Sequence, residues 1–211
     1  MATKKDGKPN DEKQDSQPEE NAGDAALKPI STNQRSRLQK CFEHGSMLST
    51  KGEFDYADAM FRQCVSSDPA NLIYTQNLLT NLKKKYNNNK KGAKMAGLRT
   101  AGAKARLKKA QVKKNWVDAI KAGLECLHFN PWDAAALGEI AKACEALEIP
   151  ESQIEYLKIA LERDLKNIGL NRLAANAFAK IAHFDEAIAC LERIAAQQPN
   201  NQEVARESAL G

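Results

Sequence analysis

The side chains through which this 211-residue chain could do chemistry are few: three histidines, five cysteines and one long run of uncompensated basic residues. Nucleophilic or acid–base catalysis needs a thiol, hydroxyl or amine held beside a base, and a structural metal site needs Cys or His at short, repeated spacing. His44, His128 and His183 are scattered along the chain, so they do not suggest a shared metal site. Cys41, Cys64, Cys126, Cys144 and Cys190 contain no C-x-x-C spacing, and an odd count makes a poor disulfide framework. Each lies in an apolar pattern, so they read as buried free thiols in a reducing compartment. Cys144 with a nearby histidine could in principle form a nucleophile pair, but a packed core thiol explains it better. No H-E-x-x-H, G-x-x-x-x-G-K-[ST], G-x-S-x-G or G-x-G-x-x-G pattern occurs. The glycines of "GAKMAGLRTAG" follow no strand, and Asp118, Glu155 and Glu162 read as solvated helix-face carboxylates. No enzyme activity, cofactor or metal is expected.

The basic run remains. From Lys83 to Trp116 there are thirteen lysines and arginines and no acid, while the rest of the chain carries 19 basic and 27 acidic residues. The net charge of +5 therefore hides a positive segment between two acidic regions. Three readings stay open. Lys90, Lys91, Lys94, Arg99, Lys104, Arg106, Lys108 and Lys109 could contact phosphates with little base discrimination, helped by Tyr86 stacking. They could instead meet an acidic protein surface, either this chain's own remainder or a second copy, which leaves self-association open. Or they could be the solvated side of helices bridging two blocks. Eleven of the thirteen are lysine, and no nucleic-acid motif accompanies them.

The elements that would position these groups are helical. The composition is 42% hydrophobic and 6% aromatic with seven prolines, which suits an all-α chain. Residues 1–33 are polar and of mixed charge, too poor in large apolar groups to offset the entropy of ordering, and are expected to be a disordered tail. No apolar leader and no stretch long enough to span a membrane is present, so the expected location is cytoplasmic. "CFEHGSMLSTKGEFDYADAMFRQCVSSDPAN" reads as two helices around Lys51-Gly52, with Gly45 and Ala57 letting them approach closely and Asp68-Pro69 as the stop. The same arrangement returns at "NWVDAIKAGLECLHFNPWD" and "AFAKIAHFDEAIACLERIAAQQPNN", and a degenerate copy lies between them. Units of 34 residues fit at 38–71, 100–133, 134–167 and 168–201.

Such a unit resembles the tetratricopeptide repeat, two antiparallel helices stacked side by side into a solenoid. The resemblance rests on the small residues Gly45, Ala141 and Ala175, on the second-helix alanines Ala57, Ala119 and Ala187, and on the closing prolines Pro69, Pro131 and Pro199. Departures are Cys41 and His44 in large apolar places, Leu107 in a small place, Gln153 in place of alanine and Leu165 in place of proline; they suggest a displaced register in unit 134–167. Residues 34–82 hold the first unit and a following helix, which looks like the first of a further unit whose second helix is hard to place. Residues 83–114 form a basic helical or linking segment, either one long helix over about 90–113 or a kinked pair. Residues 115–211 complete the block and end in a short helix, which either docks loosely or marks the edge of a longer array.

The resemblance implies a scaffold or protein-binding module whose stacked first helices present a concave groove to a peptide or protein partner. Gln39, Glu43, Asn176 and Lys180 are the groove candidates. The family's clamp for a terminal carboxylate requires basic residues and asparagine at set positions, and Asn176 is the one match, so that function is not carried over. The rival reading is nucleic-acid association through residues 83–114.

Overall fold

The computed structural model describes Leu27 and residues 29–197. Within them the chain is all-α: α1 (Thr32–Thr50), α2 (Phe54–Ser67), α3 (Leu72–Lys85), α4 (Ala96–Arg99), α5 (Ala101–Val112), α6 (Trp116–Phe129), α7 (Ala134–Ala146), α8 (Pro150–Arg163), α9 (Ile168–Lys180) and α10 (Phe184–Gln197). Of the expected 1–33 tail, residues 1–26 and Lys28 lie outside the described residues, as do Pro199 and the expected C-terminal helix. The tail as drawn from sequence ends too late: Leu27 and Ile30 pack against the core, and Ser31 caps α1 in a reciprocal box with Gln34.

Antiparallel hairpins α1–α2, α5–α6, α7–α8 and α9–α10 are the repeating unit. Three of their second helices, α6, α8 and α10, begin at Trp116, Pro150 and Phe184, 34 residues apart. The displaced register expected for unit 134–167 is therefore not present. Gln153 is buried at the alanine position, and Leu165 stands exposed at the proline position of a turn that forms without proline. That turn is held by backbone and cap bonds common to the units: Asn71, Asp133 and Asn167 each accept from the N–H three residues on, at the start of α3, α7 and α9. Inside each hairpin the connection is a Schellman turn, with the N–H of Glu53, Asn115, Ile149 and His183 reaching back five residues to a helix carbonyl. The preceding residue is left-handed in every case: Gly52, Lys114, Glu148 and Ala182. Only the first repeat uses the residue for which that conformation costs nothing.

Gly45 acts as the sequence leads one to expect, and Gly123, not singled out there, does the same between α6 and α7. A Cβ on Gly45 would press on Met60 and Phe61 at 3.0 Å, and one on Gly123 would collide with the buried Ile140 side chain. Residues 86–95 are irregular, and the basic segment is the kinked alternative: α4, a break at Thr100, then α5. A continuous helix from about 90 does not form, because Lys90, Gly92 and Met95 are left-handed.

The helices divide into two blocks. α5, α7 and α9, the first helices of three hairpins, pack in one row with α6 and α8 behind them. α1, α2 and α3 form the other block. The helix α3 has no second helix of its own; instead it crosses α8, while α2 crosses α6. The N-terminal block thus sits on the back of the solenoid, and α8 is buried on nearly every side: Ser152, Gln153, Ile154, Tyr156, Leu157, Ile159 and Ala160 are all inaccessible. One apolar cluster runs through both blocks, from Phe61 and Leu78 to Leu124 and Leu157.

Two substitutions test this account by thermal or denaturant unfolding. Ala182→Gly removes a left-handed penalty of about 1–2 kcal/mol against about 0.5–1 kcal/mol of added chain entropy, so a small net stabilisation is expected. Gly123→Ala is expected to destabilise by about 1–3 kcal/mol, the usual range for overpacking a closed core.

Candidate functional site

The row α5–α7–α9 is the surface most suited to holding a partner, because its helices lie side by side and their outer faces repeat every 34 residues. Lys108, Lys142 and Asn176 are exposed at equivalent positions of the three helices. Lys180 follows Asn176 by one turn, also exposed, and Ala105, Val112 and Ala135 leave room between the polar groups. Gln111 Nε2 donates to the carbonyl of Glu139 at 3.2 Å and ties α5 to α7. Glu139, on the same helix, accepts from Lys142 at 2.7 Å. Lys104 reaches Asp133 at 2.6 Å at the start of α7. Basic groups predominate on the face, and Asp133 and Glu139 are engaged by neighbouring lysines.

The four groove candidates do not form one site. Asn176 and Lys180 lie on α9 within this row. Gln39 and Glu43 are exposed on α1, where the Gln39 amide donates to Glu43 at 2.8 Å. α1 and α9 do not pack against one another, and α3 does not pack against α5. The concave row expected to run from the first unit to the last is broken at α3, whose partner is the back of the solenoid rather than the next first helix.

The basic segment also divides. Lys83 and Lys90 both reach Glu162, at 3.4 and 2.9 Å; Lys85 reaches Asp55 at 2.7 Å; Arg106 pairs with Glu125. Arg99 stacks over Phe129 at 4.2 Å and Lys90 lies 5.7 Å from the Trp132 ring centre. These groups are spent on the chain's own acids and rings. Lys91, Lys94, Lys108 and Lys109 are exposed and make no ion pair among the described residues, as do Lys113 and Lys114 at the end of α5. The unpaired lysines of the segment are thus Lys84 on α3, Lys91 and Lys94 in the connector before α4, and Lys108, Lys109, Lys113 and Lys114 on and just after α5.

A second polar constellation lies where the blocks meet; of its members, His128, Tyr86 and Glu162 stand out singly in the sequence, but neither Asp58 nor the grouping does. Asp58 on α2 is fully buried; its Oδ2 accepts from Arg62 Nε at 3.0 Å and lies 2.5 Å from His128 Nδ1 on α6. The His128 carbonyl accepts from Tyr86 at 2.6 Å and from Lys85 at 3.3 Å. The hydrogen bond from Lys85 holds the Asp55 carboxyl below its ordinary value. Partial burial pulls Glu162 upward, but Lys90 and Lys83 outweigh it and hold it low. His128 and Asp58 are 70 residues apart in sequence, and nothing in their local patterns marks them as neighbours. His44 is exposed on α1, and His183 pairs with Glu186 at 3.3 Å, so the histidines stay dispersed. Among the described residues no three His, Cys, Asp or Glu side chains gather as metal ligands, and no helix is long and apolar enough to cross a membrane.

The cysteines are free thiols. Burial pushes Cys64 up to about 12 and Cys126 up to about 11, and raises Cys144 and Cys190 as well. Cys41 is the half-buried one, beside the Met60 carbonyl and sulfur.

Residues 41–71 match the sequence model of the tetratricopeptide repeat. No curated protein is detectably similar in sequence. Among solved structures, the MamA protein is 16% identical with a TM-score of 0.42, the match covering 80% of this chain and 96% of that one. The TPR2AB domain of yeast Sti1, solved as a complex with pHSP90, is 16% identical with a TM-score of 0.46, over 82% and 83%. TTC0263, a thermophilic TPR protein of Thermus thermophilus, is 16% identical with a TM-score of 0.41, over 82% and 97%. The hairpin architecture described above rests on this chain's own packing and turn bonds.

Two measurements check the site's chemistry. A thiol reagent at pH 8 is expected to modify Cys41 ahead of the four buried thiols, and all five once denaturant is added. Asp55 and Glu162 have depressed folded pKa values, so their contribution is present above the unfolded values near 4 and lost as pH falls through the folded ones. The thermal midpoint is therefore expected to drop below about pH 4.5, and Glu162→Gln to remove part of that drop.

Proposed function

We propose that this chain, which carries a tetratricopeptide repeat at 41–71 and three further hairpins of the same plan, is a non-catalytic binding module for a protein or peptide partner. The observation that carries this reading is the 34-residue register of exposed side chains along α5, α7 and α9. Partner recognition by a solenoid requires a continuous surface built from equivalent positions of successive repeats. Lys108, Lys142, Asn176 and Lys180 supply donors along that surface, and its small residues allow a peptide backbone to approach. A segment bearing carboxylates or backbone carbonyls toward the helices is the chemical match. Gln39 and Glu43 belong, on this reading, to a separate face of the N-terminal block.

The test is a titration of fluorescent peptides of acidic, neutral and basic composition, selected for binding from a displayed library. Combined Lys142→Ala and Asn176→Ala is expected to weaken the selected peptides by about tenfold or more, the scale of a lost central contact. Combined Gln39→Ala and Glu43→Ala is expected to leave them unchanged. Single-stranded RNA in the same assay addresses Lys91, Lys94, Lys108 and Lys109: tight binding at physiological salt, lost when these become alanine, would favour phosphate contact instead. Selected peptides indifferent to every α5–α7–α9 change would refute the groove.

A further inference from the structure

We infer that the N-terminal block, α1 to α3, can be exchanged between two copies of this chain, giving a swapped dimer in which each block docks on the partner's α6 and α8. Three features of the junction point to it. First, the blocks are each held by hairpins that pack along their length, whereas they meet each other chiefly where α2 crosses α6 and α3 crosses α8. Every bond across that seam joins groups on opposite sides of residues 86–95, or on the connector itself. The same bonds can therefore form between chains.

Second, the seam carries a mixture of good and poor contacts. Asp58–His128, Tyr86–His128 and the pairs from Lys83 and Lys90 to Glu162 give it a defined register. Yet Asp58 Oδ1 is buried there without a hydrogen-bond partner among the described residues, as are the hydroxyls of Thr75 on α3 and Tyr156 on α8. Buried polar atoms left in this way are costly, which weakens the seam without changing its specificity.

Third, the connector that lets one chain make both halves of the seam is bent at a cost. Asn87, Asn88, Lys90 and Met95 are left-handed, and Gly92 fits only because it has no Cβ to meet the Phe129 carbonyl and Asn130. Asparagine adopts that conformation readily; lysine and methionine do not. With Tyr86 and Lys90 kept at their seam positions, residues 91–95 in the extended form would reach roughly 17 Å, and Met95 would no longer need to be left-handed. A strained hinge beside a specific interface is the arrangement from which swapping arises. Because the intramolecular form has the advantage of high effective concentration, the two forms should interchange with protein concentration.

The test uses complementary charges and light-scattering mass. One variant carries Glu162→Lys; the other carries Lys83→Glu with Lys90→Glu. Alone, each closes on itself with like charges opposed. Mixed at equal amounts, only an exchanged pair matches lysines to carboxylates at both seams. The dimer fraction is expected to rise about tenfold over either variant alone, since two exposed pairs are each of modest strength. A mixture whose mass distribution is the average of its parents would overturn the proposal. Deleting residues 88–91 is expected to make the wild-type seams form only between chains, and a folded monomer would overturn it. Should that deletion not fold, Asn88→Gly with Met95→Gly relieves the hinge and is expected to lower the wild-type dimer fraction several-fold; an unchanged fraction would count against the proposal.

Discussion

An amphipathic helix must cover its apolar face; α3 packs on α2 and α1 along one side, and for its other side the sequence that follows offers no helix. Tyr74, Leu78, Leu79 and Leu82 need burial, but the chain after Lys85 turns into an irregular basic connector. The solution is to lay α3 across α8. That one crossing sets much of the remaining architecture. It turns the back of the solenoid from a solvated face into a buried one and breaks the row of first helices between α3 and α5. It also brings Asp58 against His128 and places Glu162 between two lysines.

The charge distribution follows from the same geometry. Asp55, Glu125, Asp133 and Glu162 provide partners for cations on α3, the connector and α5. Five of the thirteen basic residues of the run, Lys83, Lys85, Lys90, Lys104 and Arg106, are consumed this way. Lys108, among what is left over, falls on the face that the repeat register already favours for a partner. Of the three readings of the basic run, contact with the chain's own acidic surface is the one the packing illustrates most directly.

Most of the hairpin plan was legible in the sequence because it is local. Gly45 with Ala57, the Lys51-Gly52 turn and the Asp68-Pro69 stop each act within a few tens of residues, and the 34-residue spacing carried that pattern to the other units. The register of unit 134–167 was misread for an instructive reason. Gln153 and Leu165 break the residue pattern, but the turn is specified by the Schellman geometry around Glu148 and by the Asn167 cap, neither of which needs alanine or proline. The docking of α3 on α8 was not legible, since it joins segments distant in sequence by ordinary leucines and a tyrosine. The Asp58–His128 contact was hidden in the same way: each residue alone looks like an ordinary member of a helix face. For the candidate groove, Asn176 and Lys180 came from repeat positions and keep a common face, whereas Gln39 and Glu43 were assigned by the assumption of an unbroken array.

The contrast between local hairpins and the distant seam has a consequence for the order in which the molecule assembles. Hairpin contacts close loops of a few residues, while Lys83 and Glu162 are 79 residues apart and Asp58 and His128 are 70. Long closures cost more chain entropy before any contact rewards them, so the repeats should form early and the seam late. During synthesis, the N-terminal block would emerge well before α8 exists to receive α3. The exposed leucines of α3 would then be held in waiting until the third hairpin is complete, so the timing of translation bears on how this chain reaches its final form.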